Sequence, residues 1–399
     1  MTVQSSQLES PSKKERLRRW AVQGLVFLLV TWWLPAWWCG READDWFAGQ
    51  AQQQAAMLGS VEHWVDMELS SNDFGTGSEL FNGEWLFGTY MMAAMGAGQM
   101  TIEQPDQREQ CLAVMEKALD KLLAEQTRAF DRSQWGADAI ETLDDPAQHH
   151  AAYLGYANMA LSLHRLLEPE SRYADLNDRI TAALVARLDS SPLLLLETYP
   201  NEMYPVDNCA VIGSIGLYDR ATGADHTDLL MRCEKTLRSD YIDDESGLMI
   251  QGVDSETGVA IDQPRGSGTT LGLYFLSFSH PELAAELWRV MATKQKGHVL
   301  NFGMMREYPP GVSGWGDVDS GPVILGYGVS PSGFGLAGAR IHDDENTFRA
   351  LYATTVLFGG PGETGDRYGY LVGGPIGDTI LFAMLTAQPA SALEAEAGK

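Results

Sequence analysis

Helical periodicity recurs along this chain in pairs. The first member of each pair carries small or apolar residues on nearly every side, over roughly 82–100, 149–167, 207–221, 267–279, 320–340 and 374–388. Typical stretches are Gly88 to Gly96, Cys209 to Gly213 and Gly335 to Ala339. The second member is amphipathic, over roughly 105–125, 171–189, 225–240, 281–296 and 343–358, as in Ala113-Val114-Met115-Glu116-Lys117-Ala118-Leu119. A helix with no polar face is buried all round, whereas an amphipathic one keeps one face wet, so first members are expected inside and second members outside. A further helix over 44–69 completes the set, and short turns such as Glu168-Pro169-Glu170 and His280-Pro281-Glu282 join the members of a pair. The pattern predicts an all-α fold, an (α/α)6 barrel or toroid of about twelve helices over residues 44–388, with no Pro/Ser-rich linker to divide it.

Connections from an outer helix to the next inner one are long, near 128–148, 190–206, 241–266, 297–319 and 359–373, and all fall on one face. Long loops in a compact domain tend to be functional, and this face also gathers the unpaired N–H groups of the inner helices. The site is expected there.

The N-terminus breaks the rhythm. Lys13, Lys14, Arg16, Arg18 and Arg19, in a basic tail over 1–19, precede Trp20 to Trp38, a stretch with no charged residue that closes on Trp32, Trp33, Trp37 and Trp38. Its length suits a bilayer span and tryptophan favours the interface, so residues 20–38 are expected to be a transmembrane helix or signal anchor. The basic flank then stays cytoplasmic and the barrel lies outside, which describes a single-pass protein of a bacterial inner membrane with a periplasmic barrel. A cleaved signal peptide is the competing reading, but no small-x-small cleavage site follows the apolar run. Residues 389–399 read as a disordered tail. A net charge of -26 excludes a nucleic-acid partner, since phosphate binding needs a basic footprint. Nothing in the sequence opposes a homo-oligomer. Cys39, Cys111, Cys209 and Cys233 have no paired spacing, so no disulfide framework or zinc site is indicated.

Polar residues collect at the inner-helix entries. Glu84 stands at the first, His149 and His150 at the second, and Tyr204, Asp207 and Cys209 at the third; Arg265 precedes the fourth, and Trp315, Asp317 and Asp319 the fifth. Each has an ordinary explanation: Asp and Asn cap helices, paired histidines can open one, and Cys209, Tyr90 and Met91 can simply pack. Five entries bringing acids, His, Arg, Tyr and Trp to one rim is less easily explained by capping. An imidazole beside a carboxylate can carry protons near neutral pH. No ligand set for a metal assembles; with Asp317 as the first position of a calcium loop, the twelfth falls on Gly328 instead of an acid. Leu248 to Ile261 alternates around Asp254-Ser255-Glu256-Thr257-Gly258 and reads as a hairpin turn.

Tyr199-Pro200-Asn201-Glu202-Met203-Tyr204-Pro205-Val206-Asp207-Asn208-Cys209, with Gly216 to Gly223 after it and His149 to Asn158 before it, resembles the linalool dehydratase/isomerase family. The resemblance covers about residues 60–385 and implies an (α/α)6 barrel, no cofactor, and acid/base chemistry on an alcohol or alkene. It also implies His150, Asp207, Tyr204 and Cys209 as site residues. The segment departs from the family in having one cysteine where two are used, and Tyr156 where a histidine is aligned.

The first expectation is therefore a membrane-anchored lyase or isomerase acting on a small molecule. His150, Asp207, Cys209 and Asp319 would be catalytic, with Glu84, Tyr90, Met91, His149, Tyr204, Arg265 and Trp315 lining the substrate site. The rival on the same barrel is a glycoside hydrolase or polysaccharide lyase, in which Asp207 pairs with Asp319 or Glu84 and Trp85, Trp135 and Trp315 stack on an oligosaccharide. A non-catalytic scaffold of a membrane assembly is the third reading.

Overall fold

The structure is a computed structural model that describes residues 12–398; the first eleven residues of the basic tail lie outside them. Six inner helices, α4 (Glu79–Glu103), α7 (Ala151–Leu167), α9 (Pro205–Thr222), α11 (Gly266–Leu276), α13 (Val329–Ile341) and α15 (Gly374–Leu385), form a closed ring. Each packs on the next, and α15 packs back on α4. Outside them lie α3 (Gln53–Asp66), α5 (Arg108–Leu122), α8 (Ala174–Ser190), α10 (Thr227–Thr236), α12 (Pro281–Val290) and α14 (Glu345–Gly359). α3 rests against α15 and α5, and each of the others packs on the inner helix before it. The chain is a mostly helical (α/α) toroid, and the apolar and amphipathic alternation sorts its helices as expected: α9 is buried along most of its length, while α5 keeps a wet face.

Small residues allow the inner ring its close spacing. A Cβ at Gly155 would lie 2.7 Å from a Val211 methyl, and one at Gly213 would collide with the Phe275 carbonyl. The axis is closed on its lower side. Tyr274 on α11 donates to Gln99 Oε1 on the opposite helix α4 at 3.1 Å, and Tyr156 meets Phe275 edge-on at 5.0 Å. The opposite end, where the inner-helix N-termini and the long outer-to-inner connections gather, is termed the crater.

Several boundaries differ from the sequence reading. The helix expected over 44–69 divides into α2 (Ala43–Phe47) and α3, around Gly49 with φ of 68°. The connection expected over 128–148 begins with α6 (Glu125–Trp135), which buries Thr127, Phe130 and Asp131 and ends on left-handed Gly136. The inner helix expected from 320 starts at Val329, because the preceding segment pairs as strands. β1 (Lys296–Val299), β2 (Phe302–Arg306), β3 (Val323–Ile324) and β4 (Tyr327–Gly328) form a small antiparallel sheet in the order β1-β2-β4-β3, and β5 (Pro361–Thr364) pairs with β6 (Arg367–Tyr370). The turn at Asp254 to Gly258 is present, closed by Gly258 N–H donating to the Asp254 carbonyl at 2.8 Å.

The tail expected to be disordered is instead a helix, α16 (Ala390–Ala397). Its Leu393 is fully buried and Glu396 pairs with Arg108 at 2.8 Å, so it seals the C-terminal ends of α4, α7 and α9. At the other terminus, α1 (Lys13–Cys39) begins on a Ser12–Glu15 capping box. Among the described residues it is the one helix long and apolar enough to cross a membrane.

Candidate active site

Three carboxylates from distant parts of the chain meet at the crater. Glu84 comes from the first turns of α4, Asp207 from the first turn of α9, and Asp319 from the connection before α13. Each is placed by its local sequence. Pro205 opens α9 with a ring already set for helix, and Asn208 stitches the helix start to the incoming chain. Its Oδ1 accepts from Leu196 N–H at 2.7 Å and its Nδ2 donates to the Leu196 carbonyl at 3.0 Å. The chain then reverses at left-handed Asn201, where Glu202 N–H donates to the Tyr199 carbonyl at 2.8 Å. This reversal presents Thr198 and Tyr199 to the site.

Asp207 is held from two sides: Tyr156 donates to Oδ1 at 2.7 Å and Thr198 to Oδ2 at 2.7 Å. Burial nevertheless raises its pKa, since the two hydroxyls compensate only in part. Glu84 accepts a hydrogen bond from the Tyr199 hydroxyl. Its carboxyl is pushed up to about 8, first by burial and then by the negative charges of Asp319, Asp207 and Glu202. Asp319 is raised to about 6 by its crowded surroundings and by Asp317 and Asp207. It is also solvent-exposed.

The loop carrying Asp319 is tied down by its neighbours. Asp317 Oδ1 accepts from the backbone N–H groups of Asp319 at 3.1 Å and Ser320 at 2.9 Å. Arg265 pairs with Asp317 and, at 2.6 Å, with Asp262. Burial works against ionisation of Asp317, but the Ser320 N–H and the Arg265 guanidinium outweigh it and hold the carboxyl low. Next to this strap, buried Glu307 takes over the start of α11: its Oε1 accepts from Ser267 Oγ at 2.6 Å and its Oε2 from Ser267 N–H at 3.1 Å. Burial raises this carboxyl to about 7.

The remaining expected site residues are placed differently. His150 is fully buried at the left-handed start of α7, with Nδ1 2.6 Å from Asp131 Oδ2, Nε2 3.2 Å from Thr142 Oγ1, and its ring against Trp135 at 4.7 Å. Both ring nitrogens have partners within the protein, and none of these is a crater carboxylate. Cys209 is buried between α9 and α11, 3.7 Å from Met249 Sδ, and burial drives its thiol pKa up; an inert packing thiol is the result. His149 accepts from Glu197 N–H at 3.2 Å beside a separate surface cavity of about 230 Å³ that also touches Arg187 and Leu193. Met91 is core. Tyr90 is core as well, raised to about 12 by burial and by Glu68 and Asp73, acids of the α3–α4 connection and not of the crater. Tyr204 stays on the rim, donating to Glu202 at 3.0 Å. Trp315 is 95% exposed and stacks on nothing, Trp85 packs edge-on against Phe74, and Trp135 is spent on His150, so the expected aromatic sugar platform is not formed by these three.

Sequence reasoning missed Thr198, Tyr199 and Tyr156 as carboxylate partners, and Glu307. The signal for the first two was their place directly before a Pro-initiated inner helix; Glu307 had only its position as an acid closing an apolar segment. Among the described residues, no group of three or more His, Cys, Asp or Glu is arranged to hold a metal ion.

With this geometry in hand, three comparisons bear on the chain. The family model described as linalool dehydratase/isomerase matches residues 153–303. No curated protein matches by sequence. Among solved structures, the chain is similar to a GH76A alpha-1,6-mannanase from Salegentibacter sp., at 12% identity over 86% of this chain and 99% of that one, with a TM-score of 0.49. It is also similar to a GH76 alpha-mannanase from Bacteroides thetaiotaomicron, at 10% identity over 84% of this chain and 94% of that one, with a TM-score of 0.45.

Proposed function

We propose that the crater is the active site of a hydrolase that cleaves glycosidic C–O bonds by carboxylate acid/base catalysis. The observation that carries this reading is the split between two accessible carboxyls, Glu84 at about 8 and Asp319 at about 6, in one electrostatically coupled cluster. At neutral pH the first holds its proton and the second has lost it, the division of labour that acid/base cleavage requires. Glu84 donates its proton to the leaving oxygen while Asp319 takes a proton from the attacking water. The C–O bond breaks, the new bond forms to the water oxygen, and protons balance between the two acids. Asp207, fixed by Tyr156 and Thr198, is with Asp319 a neighbour whose charge raises Glu84.

Two measurements test this. Turnover of glycosides should follow a bell in pH with limbs near about 6 and about 8. Glu84→Gln should abolish cleavage of unactivated glycosides yet retain much of the rate on aryl glycosides whose leaving group needs no protonation. An equal loss on both substrates would remove Glu84 as the acid.

A second reading, dehydration or isomerisation of an alcohol, is favoured by the family-model match over residues 153–303, which includes Tyr156 and Asp207. It needs the same acid and base. Turnover of allylic alcohols with no action on any glycoside would select it. In either case we propose that α1 anchors the protein, with the basic flank in the cytoplasm and the toroid on the periplasmic side of a bacterial inner membrane. A reporter fused after Lys399 that works only in the cytoplasm would refute that topology.

A further inference from the structure

We infer that the crater-bearing face of the toroid docks on the bilayer that α1 enters. The direction of α1 is fixed by its contacts. Gly40 lies against Ala353 and Arg349, Ala36 packs with Ala353 and Phe302, and the Trp32 carbonyl accepts from Asn301 Nδ2 at 3.3 Å. Read from Gly40 back toward Trp32, α1 therefore climbs α14 toward its C-terminal end, which is the end shared with the inner-helix N-termini. Every residue from Ser12 to Pro35 is exposed, so the apolar helix stands out from the body on the crater side.

No spacer separates anchor from barrel. Ala36 belongs to the uncharged run from Trp20 to Trp38 and is already packed on the toroid. At about 1.5 Å per residue that run spans about 28 Å, no more than the hydrocarbon thickness of about 30 Å, so the barrel face must lie at the membrane interface. The surface there is built for it. Among the described residues outside α1, all the exposed large hydrophobic residues except Met231 lie on the crater side, in the outer-to-inner connections or at the helix ends they join. Leu300 tips the β1–β2 hairpin beside α1, Phe358 ends α14, and Leu371 lies against Gly360; Leu325, Trp315 and Ile261 continue across the mouth. A soluble body seldom leaves so many large apolar side chains on one face. With a net charge of -26, attraction to anionic lipid cannot be the cause, so docking is apolar and insensitive to salt. It is independent of which bond the crater cleaves.

The test uses the full chain in lipid nanodiscs with single spin labels at Leu371→Cys, Phe358→Cys and Leu325→Cys in a Cys39→Ser background. All three positions are exposed, so the labels leave packing intact. Leu25→Cys within α1 and Met231→Cys on the flank of α10 are the references. The expected result is an oxygen-to-nickel-chelate accessibility ratio at the three face positions several-fold above that at Met231 and unchanged by salt. Nickel accessibility equal to that at Met231 would show the barrel standing clear of the membrane and overturn the inference. Protection from both reagents would mean that a second copy of the chain covers the face, which also overturns it. A water-like signal at Leu25 would remove the anchor and the docking together.

Discussion

At the scale of single residues, the crater is held together at a cost. Glu84, Glu307 and Asp319 have folded-state pKa values of about 8, 7 and 6, all above the ordinary carboxylate range, so the folded protein binds protons that the unfolded chain releases. For a raised carboxyl the stabilisation is complete below the unfolded pKa and is lost as pH rises through the folded one. Stability should therefore fall between about pH 4.5 and pH 8. Glu84→Gln, neutral at every pH, should flatten that slope and gain about 1–3 kcal/mol at pH 8 after allowance for solvent screening, measurable by denaturant melts at both ends of the range. The same substitution removes the proposed acid, so stability and turnover should move in opposite directions. His150 behaves the other way. His150→Ala leaves Asp131 buried without its partner and puts alanine at φ of 51°, and should cost about 3 kcal/mol while the folded fraction keeps turnover within a few-fold. A large loss of turnover at unchanged stability would return His150 to the catalytic set.

At the scale of elements, the inner ring was legible because its helices are apolar all round, a signal that depends on composition alone. Their starts were harder. The α13 boundary moved because Val323 to Gly328 can satisfy its backbone either in a helix or against β2, and only the neighbouring strand decides. α6 was missed because a polar stretch such as Glu125 to Trp135 looks like loop until Phe130 is seen packing on Phe87 at 5.4 Å. Glycines within the inner helices were readable as small residues but not as contacts. Gly213 lies where α9 meets α11, and the obstacle to a Cβ there is the Phe275 backbone carbonyl, which cannot rotate away. Gly213→Ala should destabilise by about 1–3 kcal/mol through overpacking even though alanine is the better helix former, as a shift of the urea midpoint at constant slope would show. Gly136→Ala makes a useful contrast: no neighbour lies within reach, but φ is 73°, so any cost there is backbone strain alone.

At the scale of the whole molecule, the carboxylate rim was legible because a ring of parallel helices gathers their N-termini whatever the sequence between them. Which side chains point inward was not, since that depends on the rotation of each helix: Glu84 and Asp207 face the crater, whereas His150 and Tyr90 turn into the wall. The opposite end of the toroid carries a different device. Arg340 on α13 is buried against Glu103 at the end of α4 and also donates to the carbonyls of Trp46, at 2.9 Å, and Leu385. Burial lowers its pKa to about 9, and acceptors from three other helices, α2, α4 and α15, converge on its guanidinium. Glu103 also accepts from Gln54 at 2.7 Å, which extends the clamp to α3. Arg340→Met should cost about 3–5 kcal/mol, because it strands a buried carboxylate as well as losing the bonds. Glu103→Gln in the same chain should recover part of that loss, since the stranded charge is then gone; a double-mutant cycle on urea midpoints reads the coupling directly. The clamp lies at the far end of the inner helices from Glu84, with the Tyr274–Gln99 plug between them. The folded fraction of each variant should thus keep its turnover and its pH profile, and a shifted pH limb in Arg340→Met would mean that the closed end of the ring sets the geometry of the open one.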